Sequence, residues 1–127
     1  MSASAYATVQ ARTETPREIE LRAFRYVNGL LTGAKGPAER AAALHKTHRL
    51  WTLLIEDLSG PGNGLPAELR GRLISLGLWA QREAMARLTD GGSLQPLVAL
   101  HRDMIEGLRA QQSRASSGAA AFGARTA

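Results

Sequence analysis

His45 and His48 stand three residues apart, a spacing that puts two imidazoles on one face of a helix and could begin a zinc site. Such a site also needs a third protein ligand and a partner that orients the imidazoles. No HExxH, Glu-x-x-His or Cys/His cluster supplies them. The chain has no cysteine at all, which also removes disulfides and thiol catalysis. His101 falls on an apolar stripe and reads as a core or interface histidine. Glu56 and Asp57 are paired carboxylates only in sequence: neighbours on a helix point about 100° apart and cannot share a substrate atom. Gly60-Pro61-Gly62-Asn63-Gly64 lacks the Walker lysine and follows a helical segment, not a strand, so a turn is expected there and not a phosphate cradle. Serines and threonines fall at helix starts and in the C-terminal tail, without a nucleophile elbow. The expectation is a protein that is not an enzyme and has no cofactor and no metal.

The elements that carry these residues are helical. Alternating apolar and polar runs are absent, and Val, Ile and Thr are few. Thr15-Pro16-Arg17-Glu18 combines a capping residue, a proline suited to the first helical turn and a carboxylate at the capping-box position. Leu21, Phe24, Val27 and Leu31 follow at helical spacing until Gly33. A second helix starts at Pro37 and carries Leu44, Thr47, Trp51, Leu54, Ile55 and Leu58 on one stripe, widened by Leu50 and Leu53. Ser59 to Gly64 breaks the chain. A third helix runs from Pro66 to about Leu88, and a fourth, capped by Ser93, carries Leu94, Leu97, Val98, His101, Met104, Ile105 and Leu108.

An all-α fold follows, a small helical bundle of four main helices. A short N-terminal arm, Ala3 to Arg12, is expected to be helical with Tyr6 and Val9 on one side, too small to stand alone. Residues 1–110 form the expected helical domain. From Gln111 to Ala127 the apolar period is lost and Ser, Ala, Gly and Gln dominate, which predicts a disordered tail.

A net charge of +5 suggests nucleic acid at first sight, but its placement argues otherwise. Residues 36–108 carry eight basic and eight acidic side chains, so the excess sits at the two ends and not on a folded face. No apolar run approaches the roughly 20 residues that span a bilayer, and the N-terminus lacks the features of a signal peptide. A cytoplasmic protein without membrane attachment is expected, acting as a monomer.

One feature is left over. In the third helix, Leu73 to Ala80, apolar side chains point all round, which means burial on every side or one side given to a partner. Trp51, on a one-sided stripe, reads as core. Trp79, Leu78, Leu76 and Ile74 read as candidates for a protein-binding groove, with Tyr6 closing over it.

The stretch Arg49-Leu50-Trp51-Thr52, the loop Gly62-Asn63-Gly64-Leu65-Pro66 and the run Leu73-Ile74-Ser75-Leu76-Gly77-Leu78-Trp79 resemble, in that order, the FlaF family of flagellar biosynthesis regulators. Ala5-Tyr6, Pro16-Arg17-Glu18-Ile19-Glu20 and Leu94-Gln95-Pro96-Leu97 agree with it, and the resemblance covers roughly residues 5 to 108. It implies a cytoplasmic factor of flagellum assembly that binds flagellin and supports its synthesis and export as a secretion chaperone, with the regulator FlbT as a further partner. A bundle could take an amphipathic flagellin helix into an apolar groove. The alternative is an RNA-binding regulator of the flagellin message acting through the basic ends.

Overall fold

The computed structural model describes residues 14–126, with side chains through Arg114. The expected arm at Ala3 to Arg12, with Tyr6, lies outside the described residues. The described chain forms four helices, α1 (Pro16–Gly33), α2 (Pro37–Ser59), α3 (Ala67–Thr89) and α4 (Gln95–Thr126).

Local chemistry sets each start. The Thr15 hydroxyl accepts the Glu18 N–H at 3.1 Å and the Glu18 carboxylate accepts the Thr15 N–H at 3.1 Å, so the capping box closes on both sides. Gly36 gives α2 no side-chain cap, and Glu39 reaches back to accept the Lys35 N–H at 3.1 Å instead. Between α2 and α3, the Asn63 amide donates to Asp57 at 3.1 Å while its carbonyl accepts the Leu65 N–H at 3.0 Å. No described glycine has a positive φ, so this loop is organised by Asn63 and Pro61 and not by glycine's backbone freedom. Pro66 sits at the cap of α3, one residue earlier than the first-turn position expected for it. The Ser93 hydroxyl accepts the Gln95 N–H at 3.1 Å and opens α4.

The backbone of α4 stays helical through Thr126, where the composition predicts a disordered tail from Gln111. The stretch contains no proline to stop a helix already nucleated upstream, and its alanines, glutamines and arginines favour one.

Three of the four possible bundle sides are closed. α1 packs against α2 and α4, α2 packs along α3, and α3 and α4 scarcely meet. The core is assembled where α1, α2 and α4 converge. Trp51, Phe24, Leu44, Leu58, Leu97 and Val98 are fully buried there. Phe24 meets Trp51 edge-on, with ring centroids 5.4 Å apart, and meets His101 at 5.5 Å. The Trp51 indole N–H donates to His101 Nε2 at 3.0 Å, tying α2 to α4 inside the core. Asn28 adds a polar tie from α1 by donating to the Val98 carbonyl at 3.4 Å.

His101 is therefore a core histidine, as its place on the apolar stripe suggested. Burial lowers its pKa from 6.5 to about 4, because charging the ring would strip its hydration without a compensating anion. The tryptophan N–H, already pointing at Nε2, requires that nitrogen to be the unprotonated acceptor.

Among the described residues no helix is long and apolar enough to cross a membrane, and no cluster of His, Asp and Glu could hold a metal ion. His45 is exposed and His48 half-buried, and neither meets a third ligand.

Candidate docking cleft

The geometry of α3 starts with its smallest residues. Gly77, Ala80 and Ala84 are its buried positions, at i, i+3 and i+7, and they lie against α2. A Cβ placed on Gly77 would come within 2.8 Å of Trp51 Cε3 and 3.0 Å of the Ile55 side chain. Glycine here is a requirement of packing: α3 approaches so closely that the indole occupies the space of a side chain. The Gln81 amide donates to the Thr52 hydroxyl at 2.7 Å and fixes the register of the two helices. Thr52 itself donates to the His48 carbonyl at 3.0 Å.

Because small residues hold the seam, the large apolar side chains of α3 are displaced to its edges. At about 100° per residue, Leu73 lies in line with the seam one turn before Gly77, and Leu69 and Leu76 follow its edge on the side toward α4. Ile74, Leu78 and Met85 follow the opposite edge. Leu76 is 41% exposed and Leu78 44%. Trp79 is half-buried, beside Leu76 and away from Leu78, and lines a shallow outer depression with Gly71, Arg72 and Ser75. The four candidates from the sequence are thus split: Leu76 and Trp79 share one side of the helix, while Ile74 and Leu78 belong to the other. Tyr6 lies outside the described residues.

The unclosed side between α3 and α4 is an apolar cleft. Leu65, Leu69 and Leu73 form one wall, Met104 and Leu108 the other, and Leu54 of α2 the floor. Gly107 keeps the second wall low, and nothing in the structure lies within 4 Å of where its Cβ would stand. The rim is polar: Arg17 and Glu20 of the first α1 turns, joined at 3.1 Å, and Asp103 and Gln111 of α4. Such a cleft offers leucines at helical spacing on one side and a flexible methionine on the other, a lining suited to the apolar face of a helix. At its far end α3 is tethered through the loop that follows it, where Arg40 of α2 donates to the Gly92 carbonyl.

Sequence reasoning missed Met104 and Leu108 as cleft residues, because on a helical wheel they look like ordinary core positions, and missed Leu65, which lies in the loop before α3. One signal could have located the cleft: the line of small residues 77, 80 and 84 shows which strip of α3 is buried, and hence which edges are not.

A second, shallower apolar groove runs between α1 and α2, lined by Ile19, Ala23, Leu50 and Leu53 with Glu20 and Asp57 at its edge. No catalytic constellation accompanies either groove among the described residues.

Comparison with known proteins gives one match. A family model described as flagellar protein FlaF matches residues 2–108. No curated protein and no solved structure matches the chain.

Proposed function

This chain belongs to the FlaF family of flagellar proteins, and from that premise we propose that it binds flagellin in the cytoplasm and supports its synthesis and export as a chaperone-like factor. One observation carries the reading: the fourth side of the bundle is an open apolar cleft between α3 and α4. An amphipathic flagellin helix lies in it as a fifth helix, its apolar face against Leu65, Leu69 and Leu73 on one wall and Met104 and Leu108 on the other, with Leu76 at the outer edge. Trp79 extends the contact at the outer edge. The helix is thereby shielded until export, and the factor contributes no catalysis. FlbT acts beside it in the same pathway.

The support is chemical. Burial of a few leucine-sized side chains, at about 1.5–3 kcal/mol each, is enough to hold a helix at micromolar concentration after the ordering cost. The test is co-elution of the purified full chain with monomeric flagellin on a sizing column. Wild-type protein is expected to shift flagellin to an earlier volume, and Leu69→Asp with Met104→Asp to abolish the shift while leaving the helical circular dichroism unchanged. The complex should hold at high salt; a steep loss would indicate phosphate-type contacts. Failure of the wild-type chain to shift flagellin at micromolar concentration would remove the basis of the proposal.

A further inference from the structure

We propose that the end of the bundle away from the cleft holds the C-terminal residues of a polypeptide partner. Two guanidiniums, Arg40 and Arg87, take the terminal carboxylate, and a leucine floor takes an apolar last side chain. This site does not rest on the function proposed above.

A cavity of about 500 Å³ opens where the ends of the four helices meet, a size that suits a small organic ligand or a few residues and not a lone ion. Leu31 and Leu44, both buried, and Leu88 and Leu94, half-buried, form its floor. Its charged lining is Arg40 of α2, Arg87 of α3 and Asp90 of the loop that follows α3. Glu20 on the cleft rim and Leu31 in this cavity are both on α1, roughly 16 Å apart at 1.5 Å per residue. The two sites are therefore separate.

Both guanidiniums keep donors to spare. Arg40 spends one nitrogen, Nη2, on the Gly92 and Asp90 carbonyls, and it pairs with no carboxylate among the described residues. Arg87 reaches Glu83 at 3.3 Å and Asp90 at 3.4 Å, both longer than a charge-assisted hydrogen bond. Its Nε is sealed from solvent and has no hydrogen-bond partner among the described residues, an arrangement that costs free energy until an acceptor arrives. The loop is shaped around these two side chains. Asp90 Oδ1 accepts the Gly92 N–H at 2.8 Å, and a Cβ on Gly92 would collide with the Arg87 guanidinium. Glycine lets the backbone lie against the arginine.

Charge selects the ligand. Two guanidiniums and one carboxylate leave the lining with a single positive charge in excess, which one carboxylate balances. A phosphate dianion would bring surplus negative charge up to Asp90 and Glu83. The planar forks match a carboxylate, and the leucines require an apolar group attached to it. Asp90 Oδ2 takes no hydrogen bond among the described residues. It is free to accept the N–H of the last residue, a donor that a fatty acid lacks.

The test is titration of the isotope-labelled full chain, followed by amide NMR, with acetyl-Gly-Leu-Leu as the free acid and as the C-terminal amide. The acid is expected to bind saturably with a dissociation constant below about a millimolar, shifting the amides of Gly91, Gly92 and Leu94. The C-terminal amide should bind at least about tenfold more weakly, the loss of one charge-assisted contact. Arg40→Gln should abolish binding, and Arg87→Lys, which keeps the charge and removes the fork, should weaken it several-fold. The comparison of acid with amide needs only the wild-type chain, so misfolding of either variant leaves the test intact. Equal affinity for acid and amide, or no saturable shift at millimolar peptide, overturns the proposal. Octanoate binding as tightly as the peptide would make the ligand a free acid and overturn the assignment to a chain end. Inorganic phosphate displacing the peptide at equal concentration would leave an adventitious ion only, and would overturn it as well.

Discussion

The two ends of Trp51 face two kinds of packing. Toward α1 and α4 the indole meets Phe24 and His101, large rings that interlock and leave nothing exposed. Toward α3 it meets Gly77, and the contact is close because nothing is there to interlock. The first kind of packing consumes the bulky side chains of the helices that make it. The second spares them, so α3 keeps Leu69, Leu76, Leu78 and Met85 exposed. A small-residue seam can therefore anchor a helix and free its large apolar residues for a partner.

Removing the ring that serves both regions should have the largest effect. Trp51→Ala is expected to cost about 3–5 kcal/mol, from the lost contacts and the cavity left between three helices, and to leave His101 Nε2 without its donor. Urea unfolding monitored by circular dichroism would show it, and a cost below about 1 kcal/mol would contradict the packing described.

Acid tests the closed region alone. His101 has a folded pKa of about 4, below its ordinary 6.5, so the folded state binds fewer protons than the unfolded chain between those values. Its contribution is fully present above pH 6.5 and is lost as pH falls from 6.5 toward 4, by about 3 kcal/mol in total. His101→Gln should flatten that part of the stability profile.

The seam comes next. Gly77→Val forces a branched side chain into space held by Trp51 and Ile55, and should destabilise by about 1–3 kcal/mol while loosening α3. Gly71 lies on the exposed face with nothing near its missing Cβ. Gly71→Ala should therefore stabilise by up to about 1 kcal/mol, the ordinary helix preference of alanine. Opposite signs at two glycines about 1.7 turns apart would separate a packing glycine from an incidental one.

Much of the fold was legible in the sequence. Thr15 and Glu18 marked the first helix start, Pro37 and Ser93 marked others, and the stripe through Leu44, Trp51 and Leu58 marked a core face. His101 read correctly from its register alone. The site was less legible. Periodicity reports how apolar a helix face is, not which neighbour covers it, and the missing contact between α3 and α4 is a tertiary fact. Treating Leu73 to Ala80 as uniformly apolar hid the division that Gly77 and Ala80 impose, so residues on opposite edges, Leu76 and Leu78, were grouped together.

The smallest change in stability should accompany the largest change in binding. Leu76→Asp on the exposed edge is expected to shift stability by no more than about 0.5 kcal/mol and to weaken flagellin retention sharply. Leu53→Asp, at a somewhat more exposed position in the α1–α2 groove, should leave retention intact.

The most direct measurement compares the two grooves by crosslinking. A photoreactive residue is placed at Leu73 or Met104 in the α3–α4 cleft, and separately at Leu50 or Leu53 between α1 and α2, and each full-length protein is irradiated with monomeric flagellin. Adducts from Leu73 and Met104, with none from Leu50 and Leu53, are the predicted result. Adducts confined to Leu50 and Leu53 would contradict the assignment of the α3–α4 cleft as the binding site.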